Sequence, residues 1–163
     1  VIVLIGWAFV EEGLKYIAAY AGGMHTQAED EPIDAMIYLI TAAIGFAAAE
    51  NVLFLIHPLS NGEMFTTLVT GNVRFIGTTL LHVLSSATVG AFVAFSFYKR
   101  KRSRVWHMLL GLLLATALHA VFNFFIINSG QNWMYTIFAI LWFAIIVLML
   151  LFERVKRLAR SKH

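Results

Sequence analysis

Residues 1–22 read VIVLIGWAFVEEGLKYIAAYAG, an apolar run with Glu11, Glu12 and Lys15 set in its middle. At 1.5 Å of rise per residue, a helix of about 20 apolar residues matches the roughly 30 Å hydrocarbon core of a bilayer. Ionisable groups at that depth cost several kcal/mol each unless they are paired or wetted. The stretch therefore predicts a membrane-spanning helix that handles something polar. Composition agrees: of 163 residues, 60% are hydrophobic and 13% charged, whereas soluble domains run to about a quarter charged.

Working outward, five stretches approach bilayer length, at about 1–22, 33–57, 72–98, 105–128 and 133–152. Between them lie segments with loop chemistry, GGMHTQAEDEP, PLSNGEMFTT, KRKRSR and SGQN. Pro32 closes the first, suited to the opening turn of the next helix. The expected fold is all-α, a polytopic integral membrane helical bundle forming one domain over 1–163. The chain opens at Val1 without an initiator methionine, which suggests a fragment or processed form. No basic segment precedes the first apolar run, so it does not read as a signal peptide. The absence of cysteine excludes disulfides, thiolate metal sites and cysteine nucleophiles.

The formal charge of +3 is modest, but the cations cluster in YKRKRSR (98–104) and ERVKRLARSK (153–162). Five alternating crossings put both clusters on one side, and lysine and arginine near span ends mark the cytoplasmic face. The expected location is the cell membrane, multi-pass, with a cytoplasmic C-terminus. The acidic 29–34 segment falls on the same side, where acidic residues weigh little.

The polar residues inside spans are few: Glu11, Glu12, Lys15, Glu50, Arg74, His82 and His119, with Asn51 and Asn123 as amides. The fifth span has none. Measured from the cytoplasmic ends, Glu11 lies roughly 15 Å deep, Glu50 and His82 roughly 25 Å, and His119 roughly 20 Å. Residues from four helices thus converge on one depth, which predicts a shared hydrated cavity. Glu11 and Lys15 stand four apart, as do Phe46 and Glu50, and His119 and Asn123; each pair shares a helix face. Small residues around them, in AAIGFAAAEN, SSATVGA and LATALHA, allow close helix approach. Structural roles stand beside these: Glu12–Lys15 as a buried ion pair, Glu50–Asn51 as a helix bridge, His82 as a packing residue, Arg74 snorkelling to the interface. His25, His57, His107 and His163 read as solvated.

In order along the chain, EEGLK, FAAAEN, RFIGTTLLH and HAVFN resemble the motifs of the PrsW family of intramembrane proteases, within the wider CAAX-protease and bacteriocin-processing superfamily. The resemblance covers residues 9 to about 125. It implies glutamate-dependent hydrolysis of a peptide bond in a membrane-anchored protein, such as an anti-sigma factor. By the same resemblance Glu11 is the catalytic carboxylate and Glu12 its partner, His82 holds and polarises the water, and His119 and Asn123 face the oxyanion. Glu50 belongs to a motif characteristic of PrsW. The wider superfamily has arginine one position beyond Lys15, and phenylalanine where Thr78 stands four before His82; both departures favour PrsW.

The residue types suit that chemistry, since amide hydrolysis needs a base for water, an acid for the amine and donors for the oxyanion. Ser85 and Ser86, one turn from His82, do not form a convincing triad. Glutamate chemistry needs no cofactor; the alternative is Zn²⁺ held by Glu11, His82 and His119 with a position open for water. A proton-coupled transporter or channel would also use buried Glu, Lys and His, but neither a repeat nor a broken-helix pair is visible. The expected partners are a membrane protein substrate and the bilayer, with no nucleic acid.

Overall fold

The computed structural model describes residues 1–128 and 134–160, with the side chains of 64, 66–75, 127, 128, 134, 137, 159 and 160 outside that description. It is a bundle of five long helices: α1 (Ile2–Ala19), α2 (Pro32–Ser60), α3 (Met64–Phe95), α4 (Lys101–Asn128) and α5 (Met134–Arg160). A short π-helical turn, Tyr20–Met24, follows α1. No strand occurs among the described residues.

Four segments are long and apolar enough to cross a bilayer: Pro32–Ser60, Ile76–Phe95, Lys101–Ile126 and Phe138–Leu158. The first helix is not among them. Its 18 residues would reach about 27 Å, but Glu11, Glu12 and Lys15 dilute its apolarity, and all three turn into the bundle. The lipid-facing surface is plain on α5, where Phe143, Met149 and Leu150 are each about two-thirds exposed. Water would not tolerate such a band; hydrocarbon does.

Helix α2 starts where Pro32 predicts. Pro32 fixes the helical φ at a position whose N–H has no partner to lose. Asp34 accepts the backbone N–H of Glu31 at 2.8 Å and closes a capping box. Pro58 falls inside the last turn of α2, although the sequence places it in a loop. One missing donor there is a smaller loss than an unwound turn. The reversal comes at Gly62, whose φ of 75° is left-handed. Helix α3 begins at Met64, earlier than the expected 72, and α5 runs past 152 to Arg160. Backbone groups near a membrane pair internally even through poor helix formers.

Helix α3 is the central post and packs on α2, α4 and α5. Its approach to α2 depends on Gly90, where an added Cβ would lie 2.7 Å from the Met36 Cα. On the other side, a Cβ on Gly111 of α4 would meet the Val89 Cα at 3.1 Å. The core of Leu81, Leu84, Ala87, Ala91 and Ala94 with Met36, Phe122 and Leu141 forms around this post. Helix α5 leans on α3 and α2 and barely touches α4. The consequence for the site is that α1, α2 and α4 all present side chains to one face of α3.

Candidate active site

Five of the in-span ionisable residues are buried together. Glu12, Lys15, His82 and His119 are each 1% exposed and Glu11 5%. Glu12 is the hub. Its Oε1 accepts from Lys15 Nζ at 2.5 Å and from His119 Nδ1 at 2.8 Å. Its Oε2 accepts from the Ser86 hydroxyl at 3.3 Å. Lys15, with its proton-bearing nitrogen, also donates to His82 Nδ1 at 3.1 Å. That fixes the tautomer: His82 carries its proton on Nε2 and donates it to Glu50 Oε2 at 2.9 Å. Phe46 packs edge-on against His82, with ring centroids 5.4 Å apart, and lies beneath the Lys15 ammonium.

The same reasoning sets His119. Its Nδ1–H is committed to Glu12, so in the neutral ring Nε2 presents a lone pair. It lies 3.5 Å from Glu11 Oε2, a buried oxygen with no hydrogen-bond partner. An orphaned carboxylate oxygen facing an imidazole nitrogen is an open place beside a densely bonded network. The His82 and His119 rings meet edge to face with centroids 5.0 Å apart. Glu11, His82 and His119 each offer a ligand atom, all within 4.8 Å of one another.

The structure thus brings together Glu11, Glu12, Lys15, Phe46, Glu50, His82 and His119 from four helices. Asn51 is held nearby between α2 and α3. It donates to Thr79 Oγ1 at 3.4 Å and accepts from Thr78 at 3.3 Å. Asn123, one turn along from His119, is half-buried and outside the hydrogen-bonded cluster. The Arg74 side chain lies outside the described residues. Of the two partners the sequence offers Lys15, the structure selects Glu12. Lys15 bonds Glu12 rather than Glu11, because His119 and Ser86 draw Glu12 to the centre and leave Glu11 beside it. Both nitrogens of His82 are engaged, so in this arrangement it orients its neighbours. Ser86, Thr78 and Thr79 were not singled out as site residues. The signal was there: they stand four after, four before and three before His82, on its face of α3.

These helices and this carboxylate–imidazole centre define a polytopic α-helical membrane protein with a polar site sealed inside its bundle. The chain belongs to the PrsW family of intramembrane metalloproteases, whose family model matches residues 1–151. It is 25% identical over 154 residues to the protease PrsW of Shouchella clausii (strain KSM-K16), covering 94% of this chain and 66% of that protein. To the protease PrsW of Clostridioides difficile (strain 630) it is 28% identical, covering 71% and 47%. To that of Bacillus subtilis (strain 168) it is 27% identical, covering 78% and 54%. The chain thus spans about half to two-thirds of the length of these relatives. No solved structure matches it.

The family description names a metal, and the donor set is of the right type. Two histidines and a carboxylate suit Zn²⁺. The Nδ1–H of His119 is anchored by Glu12, as the second nitrogen of a metal-bound histidine usually is. His82 alone would need to exchange a partner, Glu50 or Lys15, to free a lone pair.

Proposed function

We propose that this chain carries the catalytic centre of an intramembrane endopeptidase in which Glu11 activates water against a peptide bond of a membrane-anchored protein. The observation that carries the reading is the partnerless Glu11 Oε2 facing His119 Nε2 at 3.5 Å in a buried site. A water there would hydrogen-bond to both. As its oxygen adds to the carbonyl carbon, Glu11 takes the water proton, and it returns that proton to the amide nitrogen as the C–N bond breaks. His119, held by Glu12, accepts from that water through Nε2 and positions it, and Asn123 on the same helix face is the donor offered to the developing oxyanion. Lys15, Glu50 and His82 hold the network in one tautomeric state. The substrate class, a membrane-anchored regulatory protein such as an anti-sigma factor, comes from the family resemblance. The basic segments 98–104 and 153–162 support insertion in the cell membrane with both on the cytoplasmic side.

A second reading is favoured by the convergence of ligand atoms from Glu11, His82 and His119 within 4.8 Å. Those three would hold Zn²⁺, which when bound would polarise a carbonyl and lower the pKa of a bound water.

The test is cleavage of candidate single-span proteins by the reconstituted chain, with and without chelator. Under the first reading Glu11→Gln lowers cleavage by roughly 10²–10⁴, and chelator has no effect. Loss with chelator and recovery with Zn²⁺ would assign Glu11 and the histidines to a metal. Full cleavage by Glu11→Gln would remove both readings.

A further inference from the structure

At the end of the bundle that carries the basic turn, a cavity of about 470 Å³ opens between α1 and α4. Lys99, Lys101 and Arg104 line it together with Tyr16 and Tyr20. Val93 and Met108 line it too, and both lie further into their helices than the cations. The cavity is therefore cationic at the membrane surface and apolar below.

The register is deliberate in the physical sense. Lys101, Arg104 and Met108 fall at i, i+3 and i+7 of α4, one stripe facing the cavity. Tyr16 and Tyr20 are four apart on α1 with stacked rings 6.4 Å between centroids. Charge in the cavity is only partly compensated. The nearest carboxylate is Glu29, whose Oε1 stands 3.7 Å from Arg104 Nη2 without a hydrogen bond. Arg104 remains 41% exposed in its side chain, and Lys99 leans on neutral-capable His107 at 3.0 Å. Orientation in the membrane needs cations near the turn but not inside a cavity. Arg100 and Arg102 meet that need and do not line it.

We propose that this cavity binds the headgroup of an anionic glycerophospholipid from the adjoining leaflet. The phosphodiester would sit among Lys101, Arg104 and the tyrosine hydroxyls, with the first acyl carbons along Val93 and Met108. Basic pockets between membrane helices recognise lipid headgroups through this combination of charge and shape. The inference requires only that the helices span a bilayer and stands apart from the proteolytic reading.

The experiment compares two charge-matched variants of the full chain in detergent titrated with phosphatidylglycerol or phosphatidylcholine, read by native mass spectrometry. Lys101→Gln with Arg104→Gln should weaken phosphatidylglycerol retention on the order of tenfold or more, while Arg100→Gln with Arg102→Gln leaves it unchanged. Lys101→Gln alone, at an exposed position, should give a smaller loss in the same direction and cannot be blamed on misfolding. Equal losses in both double variants, or equal retention of the two lipids by the unaltered chain, would overturn the site. Competition by inorganic phosphate at concentrations comparable to the lipid would overturn the lipid assignment in favour of a free anion.

Discussion

Glu12→Gln should separate the stability of the buried network from its chemistry. The carboxylate receives Lys15, His119 and Ser86, and all four residues are 1% exposed. Glutamine keeps the shape but removes the charge, stranding the Lys15 ammonium. At a surface the loss would be under about 1 kcal/mol. In a buried site, removing one partner costs roughly 3–5 kcal/mol, because the other charge stays desolvated. For a chain of this size that corresponds to a fall in thermal midpoint on the order of 10 °C. Adding Lys15→Met should restore most of the loss, since apolar replacement of a whole buried pair is often close to neutral. Cleavage should stay low even then, because the neutral amide oxygen of glutamine holds His119 Nδ1–H more weakly than the carboxylate does. Thermal unfolding in detergent and a cleavage assay on the same four proteins read the two effects. A double variant as unstable as the sum of its singles would refute the pairing. Recovered cleavage in the double variant would refute the role given to Glu12 in orienting His119.

His119→Ala should lower cleavage by roughly 10²-fold or more by removing the group that holds the water against Glu11, measured as initial rate, with no rescue by Asn123 on the same face. Gly90→Ala places a Cβ 2.7 Å from backbone of α2, so it should destabilise by about 1–3 kcal/mol or more; Gly45→Ala, with open space around it, should leave the midpoint unchanged. Burial pushes the Glu29 carboxyl above its ordinary range, against the pull of Arg104 and with that of Asp34. Its ionised form is therefore disfavoured in the fold, and that destabilisation appears as pH rises from the unfolded value through the folded one. Glu29→Gln should raise the midpoint at neutral pH and lose that advantage in acid below the unfolded carboxylate range. A midpoint difference independent of pH would show that charge is not the cause.

The helices were legible because hydropathy and length are local properties of the chain. The convergence of Glu11, Glu50, His82 and His119 was legible as well, since rise per residue converts sequence position into depth. What sequence could not provide was rotation. Glu11 and Glu12 sit 100° apart on one helix, and only the docking of α1 on α3 and α4 decides which meets Lys15. The spacing allows either carboxylate, and contacts from His119 and Ser86 on other helices favour Glu12. Likewise Thr79 and Ser86 are unremarkable hydroxyls until Asn51 and Glu12 are brought to them. The early start of α3 escaped notice because Thr66, Thr67, Thr70 and Gly71 resemble a loop by composition, whereas the backbone there obeys the membrane.

The charged character of α1 also bears on how the protein is made. Each ionisable group at the centre of a helix opposes insertion by roughly 2.5–3.5 kcal/mol, and α1 carries three. Lys15 can find Glu12 within its own helix, but His82 arrives 67 residues after Lys15 and His119 arrives 107 residues after Glu12. At ordinary translation speeds the second interval is roughly 5–20 s. Until His119 is made, α1 has no mate for Glu11 and Glu12 lacks one of its three contacts, while α2 and α3 are free to enter the bilayer on their own apolarity. Helix α1 therefore waits at the interface or beside the insertion machinery and is drawn in as α4 takes its place. Synthesised before α4, α1 is seated only with it.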